Sequence, residues 1–305
     1  MMNNILELIG NTPVVRINRL NPNPNVNIFA KLEGQNPGGS IKDRIALKMI
    51  EEAEKSEKLT KSKTIIEATS GNTGIALAMI GAMKDYAVEI VMSESVSVER
   101  RKMIAAFGAK ITLTEGNLGT DGAIKKTREL VARFPEKYFH TDQFSNDNNI
   151  LAHYETTAAE IWKQMDGKID YFVAAIGTSG TLMGISRYLK KKYPAIKIVS
   201  AEPTKGHYIQ GLKNMEEAII PAIYDRKHLD NIIMVETEAA FDMARQVAKN
   251  EGIFCGMSSG AAMFASLEVA KKISAQSGSA SGGKSNIVTI FPDRGEKYLS
   301  TELFK

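Results

Sequence analysis

The sequence has only one cysteine and four histidines in 305 residues, and this scarcity excludes two kinds of chemistry. Because Cys255 has no second cysteine to pair with, the chain can form neither an internal disulfide nor a cysteine-based metal cluster. The histidines are too far apart in sequence to suggest a zinc-binding helix; they are His140, His153, His207 and His228. We therefore expect no metal site.

Long apolar runs and a marked excess of one charge are also missing. The most apolar stretch, residues 74–83, is too short to cross a bilayer. Residues 1–7 have neither the basic region nor the apolar core of a signal peptide. The net charge of +4 is small and no arginine-rich patch is interleaved with aromatics, so nucleic acid is not an expected partner. We expect a soluble cytoplasmic protein with small-molecule ligands and no membrane contact.

Short β-branched runs alternate with helical patterns along most of the chain, which is typical of parallel sheets with helices on both faces. The sequence predicts strands at residues 14–17, 28–32, 64–67, 88–92, 110–113, 171–175, 197–201, 232–235 and 287–291. It predicts helices at residues 41–55, 73–84, 98–107, 120–133, 157–165, 181–192, 238–250 and 259–273. The expected fold class is therefore α/β.

The chain is longer than one ordinary domain, and two domains that share a cleft are the natural expectation. The strand–helix alternation weakens in the polar segment 142–149, where we place a crossing between domains. Residues 274–285 are almost all serine, glycine and alanine without apolar periodicity, and they predict a flexible surface loop.

One polar loop lies between the strand predicted at 64–67 and the helix predicted at 73–84. Ligands of open α/β sheets bind at such carboxyl ends of strands, where helix N-termini offer free N–H groups. The loop carries short polar side chains and two glycines, which suit a carboxylate; its residues are Thr69, Ser70, Gly71, Asn72, Thr73 and Gly74. An ordinary helix cap with turn glycines is the alternative.

A second loop occupies the same position after the strand predicted at 171–175. It combines two glycines with three hydroxyl residues at a helix N-terminus, which predicts a phosphate cup. Its residues are Gly177, Thr178, Ser179, Gly180 and Thr181. The loop matches neither a nucleotide P-loop nor a dinucleotide fingerprint. A small monoester phosphate therefore fits it better than a triphosphate.

Two single residues are further candidates for a ligand site, in addition to the two loops. Lys42 stands in the first turn of a predicted helix, where the helix dipole disfavours a cation by roughly 0.3–1 kcal/mol. In a partly closed site that field favours a neutral amine, which is a nucleophile; an exposed surface lysine is the alternative. Ser258 lies where another helix begins, as a cap residue or as a ligand contact.

A reactive lysine, a carboxylate loop, a phosphate cup and a capping serine together describe a pyridoxal phosphate site. With these residues the sequence resembles, over its whole length, the fold-type II pyridoxal-phosphate family of cysteine synthases, also called O-acetylserine sulfhydrylases. The resemblance is carried by segments 9–13, 31–34, 36–44, 69–74, 99–102, 143–146, 177–181 and 298–301. Segments 40–44, 252–256 and 293–295 look more like cysteine synthase B than the A enzymes.

The resemblance implies a fold like that of the tryptophan synthase β chain, with two domains that each hold a twisted, mostly parallel sheet flanked by helices. Residues 37–146 would form the smaller, mobile domain with the carboxylate loop. Residues 1–36 and 147–305 would form the larger domain with the phosphate cup, and the active site would lie between them. A homodimer is what the family implies.

The resemblance also implies a role for each site residue. Lys42 would bind the cofactor covalently and then remove the substrate's Cα proton. Asn72 would hydrogen-bond the cofactor's 3′ oxygen, and Ser258 would face its pyridine nitrogen. The phosphate would be held by Gly177, Thr178, Ser179, Gly180 and Thr181. The substrate carboxylate would be gripped by Thr69, Ser70, Gly71, Thr73 and Gln143.

The implied reaction makes L-cysteine from O-acetyl-L-serine and sulfide in a ping-pong sequence, with thiosulfate as another sulfur donor that would give S-sulfocysteine. Cys255 is not the sulfur donor in this scheme and is interpreted as a small buried hydrophobe. The leaving group stays open, because some related enzymes prefer O-phosphoserine. Lys213, in the substrate-facing loop 211–217 by resemblance, would then pair with the phosphate or be a solvated surface lysine.

Three other functions share this fold. One is cystathionine β-synthase-like activity, which homocysteine as acceptor would reveal, and another is a threonine-type dehydratase. The third is a catalytically silent binding partner of serine acetyltransferase. A purified protein that stays colourless with added cofactor would favour this last function over an enzyme.

Overall fold

The structure is a computed structural model that describes residues 1–69, 71–273 and 283–305. Its strands are β1 (Val14–Ile17), β2 (Val26–Leu32), β3 (Thr64–Ala68), β4 (Val88–Ser93), β5 (Lys110–Thr114), β6 (Tyr138–His140), β7 (Tyr171–Ala175), β8 (Lys197–Pro203), β9 (Asn231–Val235) and β10 (Ser285–Phe291). Its α-helices are α1 (Lys42–Lys55), α2 (Asn72–Lys84), α3 (Val98–Ala106), α4 (Gly119–Arg133), α5 (Asn148–Ala152), α6 (Ala158–Gln164), α7 (Gly180–Lys192), α8 (Thr237–Gln246) and α9 (Met257–Lys272). Two π-helical turns, His153–Thr157 and Val247–Glu251, follow α5 and α8.

The strands of the described residues form two sheets. One has six strands in the order β1-β2-β10-β7-β8-β9, and the other has four in the order β5-β4-β3-β6. Only β1 runs antiparallel to its neighbour, and every other pairing is parallel. The predicted α/β class with two mostly parallel sheets is confirmed.

Helices cover both faces of each sheet, which explains why central strands are apolar throughout rather than alternating. All seven residues of β10 are buried. Ile287 and Phe291 belong to the core that includes residues of α8 and α9, while Val288 and Ile290 belong to the core that includes residues of α6 and α7. A sheet buried on both sides holds the ends of its strands rigidly, and these ends carry the candidate site.

The structure departs most from the sequence-based expectations in two places. Strand β6 was not predicted, because three residues are too few to show a periodic pattern. The helix predicted at 157–165 begins earlier, as α5, inside the polar segment 142–149. Asn148 and Asn149 are poor helix formers, but α5 packs between α1 and α7, and this tertiary contact outweighs local propensity.

The four strands of the smaller sheet lie within residues 37–146, and the six strands of the larger sheet lie outside that range. The division into domains 37–146 and 1–36 plus 147–305 stays a proposal. Of the loop predicted at 274–285, residues 274–282 lie outside the described ranges, and Ser285 is the first residue of β10. Among the described helices, none is both long and apolar enough to cross a membrane.

Candidate active site

A cleft collects residues that follow strands of both sheets. It is lined by the segment after β3, the segment after β7, Pro292 after β10, and the first turns of α1 and α9. About 940 Å³ of empty space lies inside it, part of it open to solvent. Clefts at the carboxyl ends of parallel strands are typical small-molecule sites.

Most of the predicted site residues meet in this cleft. Those that line it are Lys42, Thr69, Asn72, Thr73, Gln143, Gly177, Thr178, Ser179, Thr181, Lys213 and Ser258. Gly71 and Gly180 belong to the same two loops and are buried. Ser70 lies outside the described residues.

Lys42 is the first residue of α1, and the chain before it is firmly held. The N–H of Ile41 donates to the carbonyl of Pro292 at 2.8 Å. The buried Lys297 ammonium donates to the carbonyls of Gly38 and Gly39 at 3.1 and 2.9 Å. Such bracing fixes where the Lys42 side chain enters the cleft.

The next turn of α1 is anchored by buried charges. Arg44 pairs with Glu33 at 2.7 Å and with Glu160 at 2.6 Å, so α1 is tied both to the end of β2 and to α6. Breaking such a buried pair strands a charge, which is strongly destabilising. The network therefore holds the helix in one position.

Burial lowers the pKa of Lys42 to about 8, and the charge of Asp293 opposes the shift only in part. A substantial fraction of the amine is therefore neutral near pH 8, whereas an ordinary lysine stays almost wholly protonated there. A neutral amine in a cleft can act as a nucleophile and as a base.

The loop between β7 and α7 is the predicted phosphate cup. Ser179 caps α7 with a left-handed backbone (φ +69°), and its buried Oγ has no hydrogen-bond partner among the described residues. A Cβ on Gly177 would lie 2.5 Å from the carbonyl oxygen of Gly211, so only glycine fits. Free first-turn N–H groups and an unpaired hydroxyl suit an anion. These features fit the phosphate of pyridoxal phosphate.

The loop between β3 and α2 is arranged differently, because its polar groups bond to one another. The N–H of Gly71 donates to Thr69 Oγ1 at 3.0 Å. Thr73 Oγ1 donates to Gln143 Oε1 at 2.7 Å, and Gln143 Nε2 donates to the carbonyl of Ala68 at 2.9 Å. The loop is thus polar and lies at the cleft, but its groups are already paired.

Ser258 lies in the first turn of α9 and lines the same cleft. Its side chain hydrogen-bonds to none of the described residues, so the hydroxyl is free to meet a ligand. Cys255, three residues earlier, is buried in the core, and burial raises the pKa of its thiol to about 12. The thiol therefore stays protonated and unreactive, as its interpretation as a small hydrophobe requires.

Comparisons with known proteins agree with this geometry. Residues 5–293 match the family of pyridoxal-phosphate dependent enzymes. The chain is 50% identical to a cysteine synthase from Aquifex aeolicus, over 98% of this chain and 91% of that protein. It is 42% identical to cysteine synthase B from Salmonella typhimurium, over 99% and 96%. The crystal structure of a cysteine synthase from Entamoeba histolytica, 42% identical, superposes with a TM-score of 0.90 over 100% of this chain and 91% of that one.

The chain belongs to the cysteine synthase family. The predicted family and the predicted cofactor, pyridoxal phosphate, are confirmed, and relatives named cysteine synthase B are among the matches. The cup described above has features that fit the phosphate of that cofactor, and Lys42 lines the same cleft.

One part of this family member's site was not recognised in the sequence. Asp293 Oδ2 accepts from Asn72 Nδ2 at 2.7 Å and from the Tyr298 hydroxyl at 2.8 Å, with Arg100 at 3.4 Å. Lys297 Nζ donates to Asn72 Oδ1 at 3.1 Å. Both ends of the Asn72 amide are thereby oriented. The sequence signal was segment 293–295, which was read only as a mark of the B branch.

Lys213 also has a partner that the sequence did not reveal. Its ammonium lies 3.0 Å from Asp121 in the first turn of α4 and 5.3 Å from the centre of the Phe144 ring. The side chain lines the cleft but is 9% exposed, so it is not a solvated surface lysine. Its positive charge is already paired with the carboxylate of Asp121.

Proposed function

We propose that this protein makes L-cysteine from O-acetyl-L-serine and sulfide by a β-replacement that uses pyridoxal phosphate. One observation carries the proposal. A lysine whose pKa is lowered to about 8 lies in the same cleft as an anion cup and a polar loop at a second helix N-terminus. The relatives named cysteine synthase support the same reaction.

We assign the cofactor to the residues that fit its parts. Lys42 would bind its aldehyde, Asn72 its 3′ oxygen and Ser258 its pyridine nitrogen, while residues 177–181 would hold its phosphate. When bound, the cofactor supplies an electron sink that stabilises negative charge at the substrate Cα and lets the β substituent leave. A hydroxyl at position 258, unlike a carboxylate, does not force a proton onto the ring nitrogen, which favours β-elimination over transamination.

Lys42 would also act on the substrate. Once the substrate is bound and the amine of Lys42 is free, this amine would accept the Cα proton. A pKa near 8 keeps a sufficient fraction of the amine neutral for this role. After acetate has left and sulfide has added at Cβ, the same group would return the proton to Cα, and the amine of Lys42 would then take up the cofactor aldehyde again as the product leaves.

Thr69, Thr73 and Gln143, together with Ser70 and Gly71, would bind the substrate carboxylate. A carboxylate only accepts hydrogen bonds, so it would take over the Thr73 proton that Gln143 now accepts. Closing this loop over the substrate would exclude water from the reactive centre.

The Lys213–Asp121 pair favours a substrate whose β substituent is uncharged, such as the O-acetyl group. A phosphate dianion would need Lys213 to give up Asp121, whereas an acetate ester makes no such demand. O-Phosphoserine stays the second candidate, because Lys213 is one of the cationic side chains that line the cleft and could meet a phosphate.

The test is kcat/KM for O-acetylserine and O-phosphoserine, each with sulfide and with thiosulfate, and with homocysteine as an alternative acceptor. We expect O-acetylserine with sulfide to be the best pair. A higher value with O-phosphoserine would overturn the leaving-group assignment. Cystathionine as the main product, or no β-replacement at all, would overturn the reaction.

Asp121→Asn tests the role of the ion pair. Freeing Lys213 should raise kcat/KM for O-phosphoserine about 10-fold, the size of one charge-assisted contact, with little change for O-acetylserine. Lys213→Ala should lower O-phosphoserine use selectively, and Lys205→Ala, an exposed lysine of the neighbouring loop, is the control. Equal losses with both substrates in Lys213→Ala would contradict phosphate recognition by Lys213.

A homodimer and a cytoplasmic location are proposed from the resemblance alone. Light scattering of the purified protein tests the first, and fractionation of the source cells tests the second. The division into a mobile domain 37–146 and a larger domain is supported by the confinement of one sheet to that range. A substrate-dependent change in small-angle scattering would test it.

A further inference from the structure

Behind the phosphate cup lies a buried amide to which no role has been assigned. Asn149, in the first turn of α5, has no exposed surface. A Cβ placed on Gly180 would lie 1.9 Å from Asn149 Oδ1, so the start of α7 rests directly on this side chain. Asn149 therefore lies behind the cup and faces away from solvent.

The hydrogen bonds of Asn149 fix which way its amide points. Nδ2 donates to the carbonyl of Gln143 at 2.7 Å and to Thr178 Oγ1 at 3.0 Å. A backbone carbonyl can only accept, so the atom that faces Gln143 must be the NH₂ nitrogen. Its two hydrogens are both used, one on each partner.

The orientation of the Asn149 amide determines how the Thr178 hydroxyl can form hydrogen bonds. Because its Oγ1 accepts from Asn149, the hydroxyl keeps its own proton for another acceptor. No described residue takes that proton, and Thr178 lines the cleft. Thr181, across the cup, faces the Nε2 of His153 at 3.2 Å, and a neutral histidine ring can donate or accept. Thr178 is thus the cup hydroxyl whose direction is set by its partner.

We propose that Asn149 is a positioning residue that turns the Thr178 hydroxyl toward the cofactor phosphate as a hydrogen-bond donor. A phosphate dianion only accepts, so a hydroxyl held as a donor favours it, while one free to rotate must first be ordered. The inference rests on the proposed assignment of residues 177–181 to the phosphate. Asn149 itself touches neither cofactor nor substrate in this account.

The test measures binding to the cofactor-free protein rather than turnover. Dissociation constants are compared for pyridoxal phosphate and for pyridoxal, which lacks the phosphate. Both aldehydes would react with Lys42, so the ratio of the pyridoxal dissociation constant to the pyridoxal phosphate dissociation constant isolates the phosphate contribution. We expect Asn149→Ala to lower this ratio about 10-fold, with the pyridoxal constant nearly unchanged. Asn148→Ala, the same change one residue earlier, is the matched control.

A double-mutant cycle separates positioning from packing. In a Thr178→Val background the hydroxyl is gone, so Asn149→Ala should no longer change the ratio. An undiminished effect in that background would overturn the proposal. Equal weakening of both aldehydes by Asn149→Ala would also overturn it, because general damage to the cup acts on both.

Asn149→Asp covers the case in which the alanine variant does not fold. The carboxylate has the same shape but only accepts, so Thr178 must donate to it and turn away from the phosphate. We expect a larger loss of the ratio than in Asn149→Ala, and an unchanged ratio would contradict the inference. If the unmodified protein itself binds both aldehydes equally, the cup assignment fails, which is a different outcome from a failure of Asn149 alone.

Discussion

Two loops of this molecule look alike in sequence and differ in what their side chains do. Each follows a parallel strand, contains two glycines and hydroxyl residues, and begins a helix: residues 69–74 lead into α2, and residues 177–181 lead into α7. In the second loop, Ser179 Oγ has no described partner, and Thr178 Oγ1 accepts from Asn149 while its own proton goes to no described residue. In the first, Thr69 and Thr73 are bonded to Gly71 and Gln143.

The difference supports the proposed division into a permanent cofactor site and an exchanging substrate site. A cup with unpaired donors and rigid support behind it is preorganised for an anion that stays bound. A loop whose groups satisfy one another is stable without ligand, and it must exchange those bonds each time a substrate enters and leaves. The geometry therefore agrees with a resident cofactor in one loop and a transient substrate carboxylate in the other.

The largest expected effect is that of replacing Lys42, which lines the same cleft as residues of both loops. Lys42→Ala should lower kcat by about 10³-fold or more, since both the covalent attachment and the base are lost. Steady-state cysteine formation measures this. Lys48→Ala, in the second turn of α1, is the control, because Lys48 only forms surface pairs with Glu52 and Glu155. Substantial turnover by Lys42→Ala would remove the lysine from the mechanism.

The next largest effect tests the cup as the permanent site. Gly177→Ala places a methyl group 2.5 Å from the carbonyl of Gly211, so the loop must move. Affinity for pyridoxal phosphate should fall about 100-fold, as expected when several charge-assisted bonds are misplaced. Spectral titration of the cofactor-free protein measures it. Gly116→Ala, whose new atom comes no closer than 3.4 Å to a neighbour, should bind normally. Normal binding by Gly177→Ala would contradict the cup.

A smaller effect tests the exchanging loop. Thr73→Val removes the hydroxyl that bonds to Gln143, and KM for O-acetylserine should rise about 10-fold, as for one hydrogen bond to a charged group. Cofactor affinity should stay as it was, because the cup is untouched. Steady-state kinetics and spectral titration together separate the two. Loss of cofactor with an unchanged KM would reverse the assignment of the two loops.

The smallest effect is a shift in the pH dependence with which the amine of Lys42 is labelled. A lysine pKa lowered from 10.5 to about 8 means that the neutral amine appears as the pH rises through 8. In cofactor-free protein, labelling of Lys42 by a small amine-reactive reagent should therefore reach half its maximal rate near pH 8. Mass spectrometry of the labelled peptide measures the rate. Asp293→Asn should move the midpoint lower, since Asp293 raises this pKa; a midpoint near 10.5 would mean that the cleft does not desolvate the amine.

Local patterns in the sequence were enough for the framework of the fold and for the residues that meet in the cleft. The boundaries of β1 and β7 were predicted as observed, and those of the other predicted strands within one to two residues. The glycine and hydroxyl loops also fell where predicted, because a loop between a strand and a helix is encoded within a few residues. Strand β6 and the start of α5 were missed, since one is too short for a pattern and the other is held by neighbouring helices.

The hydrogen-bond and ion-pair partners of the site residues could not be predicted from the sequence. Asp293 orients Asn72 across 221 positions, and Lys213 pairs with Asp121 across 92. The bond from Asn149 to Thr178 spans 29 positions and crosses from one helix to the loop before another. No periodicity relates such residues.

The sequence by itself determined the α/β framework and the family, and it predicted the candidate lysine and the two candidate ligand loops. The tertiary structure decided which polar groups in those loops are free and which are already bonded. The physical reason is the separation along the chain of the residues that interact. Helices, strands and caps depend on neighbours a few residues away, whereas the direction of a hydroxyl or the balance of a charge depends on whatever side chain folding brings within about 3 Å.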